Sequence, residues 1–549
     1  MTLQAPKMGR NCQRFCSVIV AWSCLCFVVF QVVIHKTPNQ YSAPSINSRY
    51  LLEKLTDPPG TTSKTEEKEF TDTDDEEDVL NIDTSPALSE LETATFLQRK
   101  LHNLPYEFYV RFKYHVFSKN HSCSHFPSIY DIKFNNIYWQ ELITSNGTFF
   151  LYGAYYDNRP LSSIGPSIRV LGLIDRIEPT VPTYCQMWYQ ASQDPVVTKV
   201  LEYKYMWNKK WGNYKQGVLQ PYLITCKIPD PLKGIPPVSV SLVQKPCDAA
   251  RTNLRVINDR PEKKGKFAVC VKGLDFLDVD LSVRLIEWIE LLSILGAEKI
   301  FLYELEVHPN ISKALKYYEN LGRVVVTPLT LPGDLPNFPG LRHHFLKTKI
   351  TNKRQNELIP YNDCLYRNLY SYEHIALLDT DEIIMPLQTN NWNELMEIIL
   401  TKAFIKGNYT RASYNFRNVY FWDDAKHSYH GWNPEIPKYM HMLQHIHRSV
   451  NYTKPNQYVK CFHNPERVLT LHNHFPLSCL EGQCTSYPVE TDDAHLQHYR
   501  ADCVTSLRKS CETEFKQNTT EDVNVWKYKD ELISRVNETL RVLGFFKDR

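Results

Sequence analysis

The sequence has almost no surplus of charge: 63 Lys and Arg stand against 61 Asp and Glu, a formal net charge of +2. No bulk field points to nucleic acid, and the positive residues form no long basic tract. A GxGxxG turn and a GxxxxGK(S/T) loop are both missing, which excludes the dinucleotide and P-loop sites built on those glycines. No CxxC…CxxC spacing marks a zinc ribbon, and no internal repeat is present. Long apolar runs are equally scarce. There is one, Phe15 to Ile34, and none follows it.

That run, FCSVIVAWSCLCFVVFQVVI, holds no charged residue and is long enough as a helix to cross a bilayer core. Lys7, Arg10 and Arg14 precede it, while only His35 and Lys36 closely follow. The asymmetry keeps residues 1–14 in the cytosol and sends the rest across. A cleaved signal peptide would be shorter in its apolar part and end at small residues. The expectation is an uncleaved type II anchor at residues 15–34, with the membrane a partner through one N-terminal helix. Sequons at Asn120, Asn146, Asn310, Asn408, Asn451, Asn518 and Asn537 fit a secretory-pathway chain. Of 15 cysteines, Cys12, Cys16, Cys24 and Cys26 lie in or beside the anchor. The eleven others are an odd number, so a luminal thiol is unpaired or joins two chains, which makes a homodimer a partner to test. Cys479/Cys484 and Cys503/Cys511 are near enough to close small loops.

Residues 35–103 read as a stem, rich in Ser, Thr, Pro and acid, with too little apolar surface to fold alone. Residues 104–260 read as a β-rich, sandwich-like domain. TFFLYGAYYD, SIRVLGLID, YCQMWYQ and YLITCKI are its strands, separated by Pro, Asn and Gly. From Lys266 the pattern alternates. KFAVCVKG, EKIFLYEL and RVVVTPLTLP read as strands. DLSVRLIEWIELLSILG and NISKALKYYENLG read as helices stopped by Gly296 and Gly322. YNDCLYRNLYSYEH is a further helix leading into IALLDTDEIIMP. Over residues 261–549 this order predicts an α/β fold with a mostly parallel sheet flanked by helices on both faces.

The strand Ile375 to Leu378 ends in Asp379, Asp381 and Glu382. Ligands of open α/β sheets bind beyond the carboxyl ends of the strands. Residues i and i+2 of an extended chain project to one side, so Asp379 and Asp381 repel each other unless a cation lies between them. Hard carboxylate oxygens suit Mg²⁺ or Mn²⁺, and such an ion also holds a diphosphate. The competing expectation is a helix N-cap, where Asp is favoured.

YGAYYDNRP, YCQMWY, WIELLSILGAEKIFLYE, YNDCLYR, ALLDTDEIIMP, PERVLTLHNHFP and HYR occur in this order between about Tyr152 and Arg500. In these the chain resembles the glycosyltransferase family 92 proteins of animals and plants. The resemblance implies a GT-A-like fold and inverting, metal-dependent transfer from UDP-galactose, with Mn²⁺ the expected ion. It further implies a Golgi membrane β-1,4-galactosyltransferase, with the catalytic domain in the lumen and glycoprotein N-glycans as acceptors. Asp379 and Asp381 would be the D-x-D pair, with Asp381 on the metal and Asp379 on ribose or metal. His474, with His472 as an extra histidine beside it, and His498 are the candidates for a third ligand. Arg500 would take phosphate through its planar fork.

Lys272, Tyr303 and Glu304 stand where the donor's uridine would lie. Asp363 and Arg367 would face the acidic tip, or else form an i,i+4 ion pair on their helix. Inversion needs a carboxylate base on the acceptor side. Asp423 and Asp424 are the choice, from a set that includes Glu481, Asp492 and Asp493. Trp422 and Trp432 are the expected acceptor contacts, with core packing as the competing role. Three alternatives differ in what they need. Another UDP-sugar or acceptor would leave fold and motif unchanged. A glycoside hydrolase with two carboxylates would need no metal-bound diphosphate. A non-catalytic lectin-like membrane protein would keep glycan binding without Asp381.

Overall fold

Ser89 and Glu92 close a capping box. The Glu92 N–H donates to Ser89 Oγ at 3.3 Å, and the Ser89 N–H donates to Glu92 Oε2 at 2.9 Å. They start the helix Glu90–Lys100. His102, Asn103 and Leu104 behind it are buried. The end of the expected stem is therefore folded, and the domain boundary moves upstream into it. The computed structural model describes residues 87–106, 123–190, 192, 194–424, 433–504 and 508–546. The anchor at 15–34, the rest of the stem, Asn120 and Trp432 lie outside the described residues. Among those described, no helix is long and apolar enough to cross a membrane.

The β-rich region closes on itself. The strands Gly147–Asp157, Ser167–Ile174, Gln220–Lys227, Val196–Tyr205, Tyr184–Trp188, Ser239–Val243 and Leu254–Ile257 pair in that order. Leu254–Ile257 then returns to Gly147–Asp157 in parallel through Ala154↔Val256 and Tyr155↔Ile257. The result is a seven-strand barrel in place of the expected sandwich. Its core includes Phe149, Leu151, Val170, Met187, Ile224 and Val240, crossed by the disulfide Cys185–Cys226. Gly172 permits tight curvature, because a Cβ there would lie 2.4 Å from the Phe150 carbonyl oxygen.

The second sheet orders Val324–Pro328, Lys299–Val307, Gly265–Phe276, Tyr372–Leu377, Lys460–His463, Ser413–Phe416 and Ser486–Pro488. The first four are parallel. Lys460–His463 then runs antiparallel to both of its neighbours. A third, mixed sheet orders Glu382–Pro386, Ala494–Arg500, Asn418–Trp422, His447–Ser449 and Thr519–Glu521. The expected α/β, GT-A-like architecture, a mostly parallel sheet flanked by helices, is thus corrected: the chain combines a closed barrel with mixed sheets. The strand–helix alternation legible in the sequence stops at Leu377. Later strands arrive from distant segments whose direction no local pattern records.

Helices stop where glycine was expected to stop them. Ser282–Leu295 ends at Gly296 with φ 110°, and Gly322 with φ 69° follows Pro309–Asn320. The five disulfides among the described residues are Cys479–Cys484 and Cys503–Cys511, as expected, together with Cys123–Cys247, Cys185–Cys226 and Cys270–Cys364. The odd cysteine is Cys461, which is buried and so offers no thiol to a second chain.

Candidate functional site

The acidic tip is a turn between two buried strands. Tyr372–Leu377 leaves the second sheet, and Glu382–Pro386 begins the third. The Glu382 N–H donates to the Asp379 carbonyl at 3.0 Å, and the Asp379 N–H donates to Glu382 Oε2 at 2.8 Å. Two buried indoles fix the outgoing strand. Trp288 donates to the Glu382 carbonyl at 2.9 Å and Trp392 to the Ile384 carbonyl at 2.8 Å. The antiparallel partner Ala494–Arg500 sets His498 opposite Glu382. Asp379 caps no helix.

Two lysines lie among the carboxylates. Lys272 Nζ is 3.0 Å from Asp379 Oδ1. Lys460, fully buried at 0% exposure, places Nζ 3.0 Å from Glu382 Oε2 and 3.5 Å from Asp379 Oδ2. It also donates to Asn473 Oδ1 at 2.6 Å. The cations that relieve repulsion at Asp379 are therefore ammonium groups. Burial opposes ionisation of Asp379, but Lys272 and Lys460 overcome it and hold the carboxyl far below its ordinary range. Burial pushes the Glu382 carboxyl up in spite of Lys460.

Asp381 differs. Its side chain is 48% exposed and its nearest ionisable partner is His498, with Nε2 3.4 Å from Oδ2. Partial burial opposes its ionisation, and His498 more than offsets this, holding the carboxyl below its usual value. His498 Nδ1 lies 3.5 Å from Glu382 Oε1 and 3.2 Å from Asn418 Nδ2. A divalent ion fits Asp381 and His498, which form an open oxygen–nitrogen pair. It fits Asp379 less well, because lysines already occupy that carboxylate. His474 sits nearby with Nδ1 3.1 Å from the Val459 carbonyl, and burial, then Lys460, lowers its pKa to about 3. His472 instead packs between the Trp211 and Phe475 rings.

A small, open cleft lies at the carboxyl ends of the parallel strands. Gly273, Leu305, Leu329, Trp139, Lys353 and Glu357 line it. Glu357 connects it to the tip, since its Oε1 lies 3.8 Å from Lys272 Nζ, which in turn holds Asp379. Trp139 comes from the region that carries the barrel, a contribution with no local signature in the sequence.

Other expected donor contacts lie in a buried joint. Asp363 accepts from Tyr303 Oη at 2.5 Å, Arg367 Nε at 2.7 Å and the hydroxyl of barrel residue Tyr155. Arg367 continues to Asn103 Oδ1 at 2.8 Å. Burial opposes the Asp363 charge, and Arg367 overcomes it. The i,i+4 ion pair is what forms, and Tyr303, Asp363 and Arg367 join the barrel and the helix Leu358–Arg367 rather than face an open tip. Glu304 is half-buried, and burial raises its pKa. Asp363→Ala is expected to lower unfolding free energy by about 3–5 kcal/mol, because Arg367 loses its partner. Denaturant titration checks this. A change in donor affinity with stability intact would restore the donor role.

Trp422 is 1% exposed and packs with Tyr420, Phe515 and Cys503, so it belongs to the core and not to an acceptor surface. Asp424 is exposed and pairs with Lys516 at 2.7 Å. Asp423 faces His441, His445 and Arg284. Arg500 is half-buried, and its carbonyl accepts the Asp423 N–H at 2.9 Å. Asn146, Asn408, Asn451 and Asn518 are exposed. Asn310 and Asn537 are half-buried, and their side chains bond Asp280 and Tyr439.

Residues 265–536, which hold the tip, both lysines and His498, match glycosyltransferase family 92. The chain belongs to that family. It is also similar to beta-1,4-galactosyltransferase galt-1 of Caenorhabditis elegans, 25% identical over 248 residues, which are 43% of this chain. The match spans about half of that relative, 51% of its length. Two solved structures share local likeness. One is a WbbM bifunctional glycosyltransferase in its apo form, with TM-score 0.18, 11% identity, 38% of this chain and 28% of that one. The other is S. aureus TarS 1–349, with TM-score 0.19, 12% identity, 50% of this chain and 72% of that one. Scores this low carry no fold argument.

Proposed function

We propose that the chain transfers galactose from UDP-galactose to a glycan on glycoproteins, with inversion, as a β-1,4-galactosyltransferase acting on N-glycans. The observation that carries this reading is the continuity of the cleft, Glu357, Lys272, Asp379 and half-exposed Asp381 inside the family-matched region. The name of the worm relative supports the sugar. The apolar cleft wall would take the nucleoside. Lys272, about a quarter exposed, would meet the diphosphate as a point charge. Asp381 and His498 would hold a divalent ion, Mn²⁺ on the family resemblance, which when bound neutralises the diphosphate as a leaving group. Lys460 fixes Asp379 and Glu382 so that Asp381 alone faces outward. The uncharged apolar run at 15–34, which would serve as an anchor, and the exposed sequons favour a Golgi membrane location with this site in the lumen.

The test uses secreted residues 86–549, which keep the capped helix and its buried successors. They are offered a panel of UDP-sugars with Mn²⁺ and mixed N-glycans, and mass added to the glycan is read. A hexose from UDP-galactose alone is expected, lost with EDTA. Another donor would overturn the sugar. Glycan binding with no transfer, unchanged in Asp381→Ala, would favour a lectin.

A further inference from the structure

Asp423 ends the strand Asn418–Trp422, and two histidines approach it from one short helical turn, His441–Gln444, and the residue after it. His441 Nε2 lies 3.1 Å from Asp423 Oδ1 and His445 Nε2 lies 3.5 Å from the same oxygen. One donor atom from each residue falls within 4.8 Å of the others. Ligands about 2.0–2.1 Å from a tetrahedral zinc stand about 3.3–3.4 Å from one another. The two edges to Asp423, 3.1 and 3.5 Å, are close to those of such a site, and the third lies within 4.8 Å. Both rings are nearly buried.

The tautomer is set as well. His445 Nδ1 lies 2.5 Å from the His441 carbonyl, which only accepts, so Nδ1 carries the proton. In the neutral ring Nε2 then holds the lone pair, and that atom faces Asp423. A backbone carbonyl orienting the far nitrogen is the usual support of a metal-bound imidazole. The turn itself is anchored from below. The buried Glu287 carboxylate accepts from the N–H groups of His441, Met442 and Leu443 at 2.6, 3.0 and 3.2 Å. Arg284 Nη2 lies 3.5 Å from Asp423 Oδ2, on the other oxygen, which leaves Oδ1 for the cluster.

We infer that Asp423, His441 and His445 form a zinc-class cation site, separate from the acidic tip, with one oxygen and two nitrogen ligands. A borderline cation suits that donor set better than Mg²⁺ or Ca²⁺. The site lies where Asp423 leaves its strand beside Arg500, two residues beyond His498 on the neighbouring strand. Its role is to hold that strand end, and it does not depend on the proposed sugar.

The test strips the secreted 86–549 chain with chelator and titrates it with Zn²⁺ alone by calorimetry. In Asp381→Ala, which lacks a ligand of the acidic-tip ion, one saturable equivalent is expected, and it is weakened about 100-fold or more when the double change His441→Gln/His445→Gln is added. No saturable binding to Asp381→Ala, or equal binding after the double change, overturns the inference. If the chain with the double change does not fold, Co²⁺ added to the stripped Asp381→Ala chain decides. An intense tetrahedral visible spectrum supports the site, and its absence overturns it.

Discussion

Lys460→Met is expected to cost about 3–5 kcal/mol of unfolding free energy, the range for breaking a buried ion pair by removing one partner. Lys460 has no exposure and supplies charge to both Glu382 and Asp379, so the variant leaves two buried carboxylates with one lysine fewer. The pH dependence gives a second signature. The folded pKa of Asp379 is depressed, so its ion pairs contribute full stability above the unfolded value of about 3.9 and lose it as pH falls further. In Lys460→Met the depression is smaller, so the acid loss from Asp379 still begins near the unfolded value but is smaller and is complete at a higher pH. Denaturant midpoints from pH 3 to 7 (about neutral at the top) measure both effects. A midpoint within experimental error of wild type would show that the lysine does not hold the turn.

Asp381→Ala is expected to abolish transfer with little change in stability. The side chain is half exposed, its backbone carbonyl still accepts the Tyr499 N–H at 2.9 Å, and no buried partner loses its only charge. A metal contact to a leaving group stabilises developing charge by several kcal/mol, and each 1.36 kcal/mol is tenfold in rate, so the loss is about a thousandfold or more. The two variants should separate cleanly: Lys460→Met moves stability first, while Asp381→Ala moves activity alone. An active Asp381→Ala enzyme with an intact melting midpoint would remove Asp381 from the site.

Local order was easily read from this sequence. The strands at Gly265–Phe276, Lys299–Val307 and Val324–Pro328, the helix stops and the acidic tip all follow from periodicity and glycine placement. The capping box in SELE was also there to be read, and it would have shortened the stem. Barrel closure between residues a hundred apart left no local trace, nor did the mixed strand order after Leu377. In the site, the carboxylates were plain but their counter-ions were not. Lys460 belongs to a strand about eighty residues downstream and gives no motif. Charge repulsion led to the expectation of a divalent ion between Asp379 and Asp381; that two lysines stand at Asp379 depends on tertiary pairing. The His441–His445 spacing is the one sequence signal for the second cluster, and its third member, Asp423, arrives from another element.

The most direct measurement is calorimetric titration of the 86–549 chain with UDP, with and without Mn²⁺, in wild type and Asp381→Ala. Tight binding that needs both Mn²⁺ and Asp381 is the predicted result. UDP binding that is absent, or equally strong without the ion and in the variant, would contradict a metal–diphosphate site at the acidic tip.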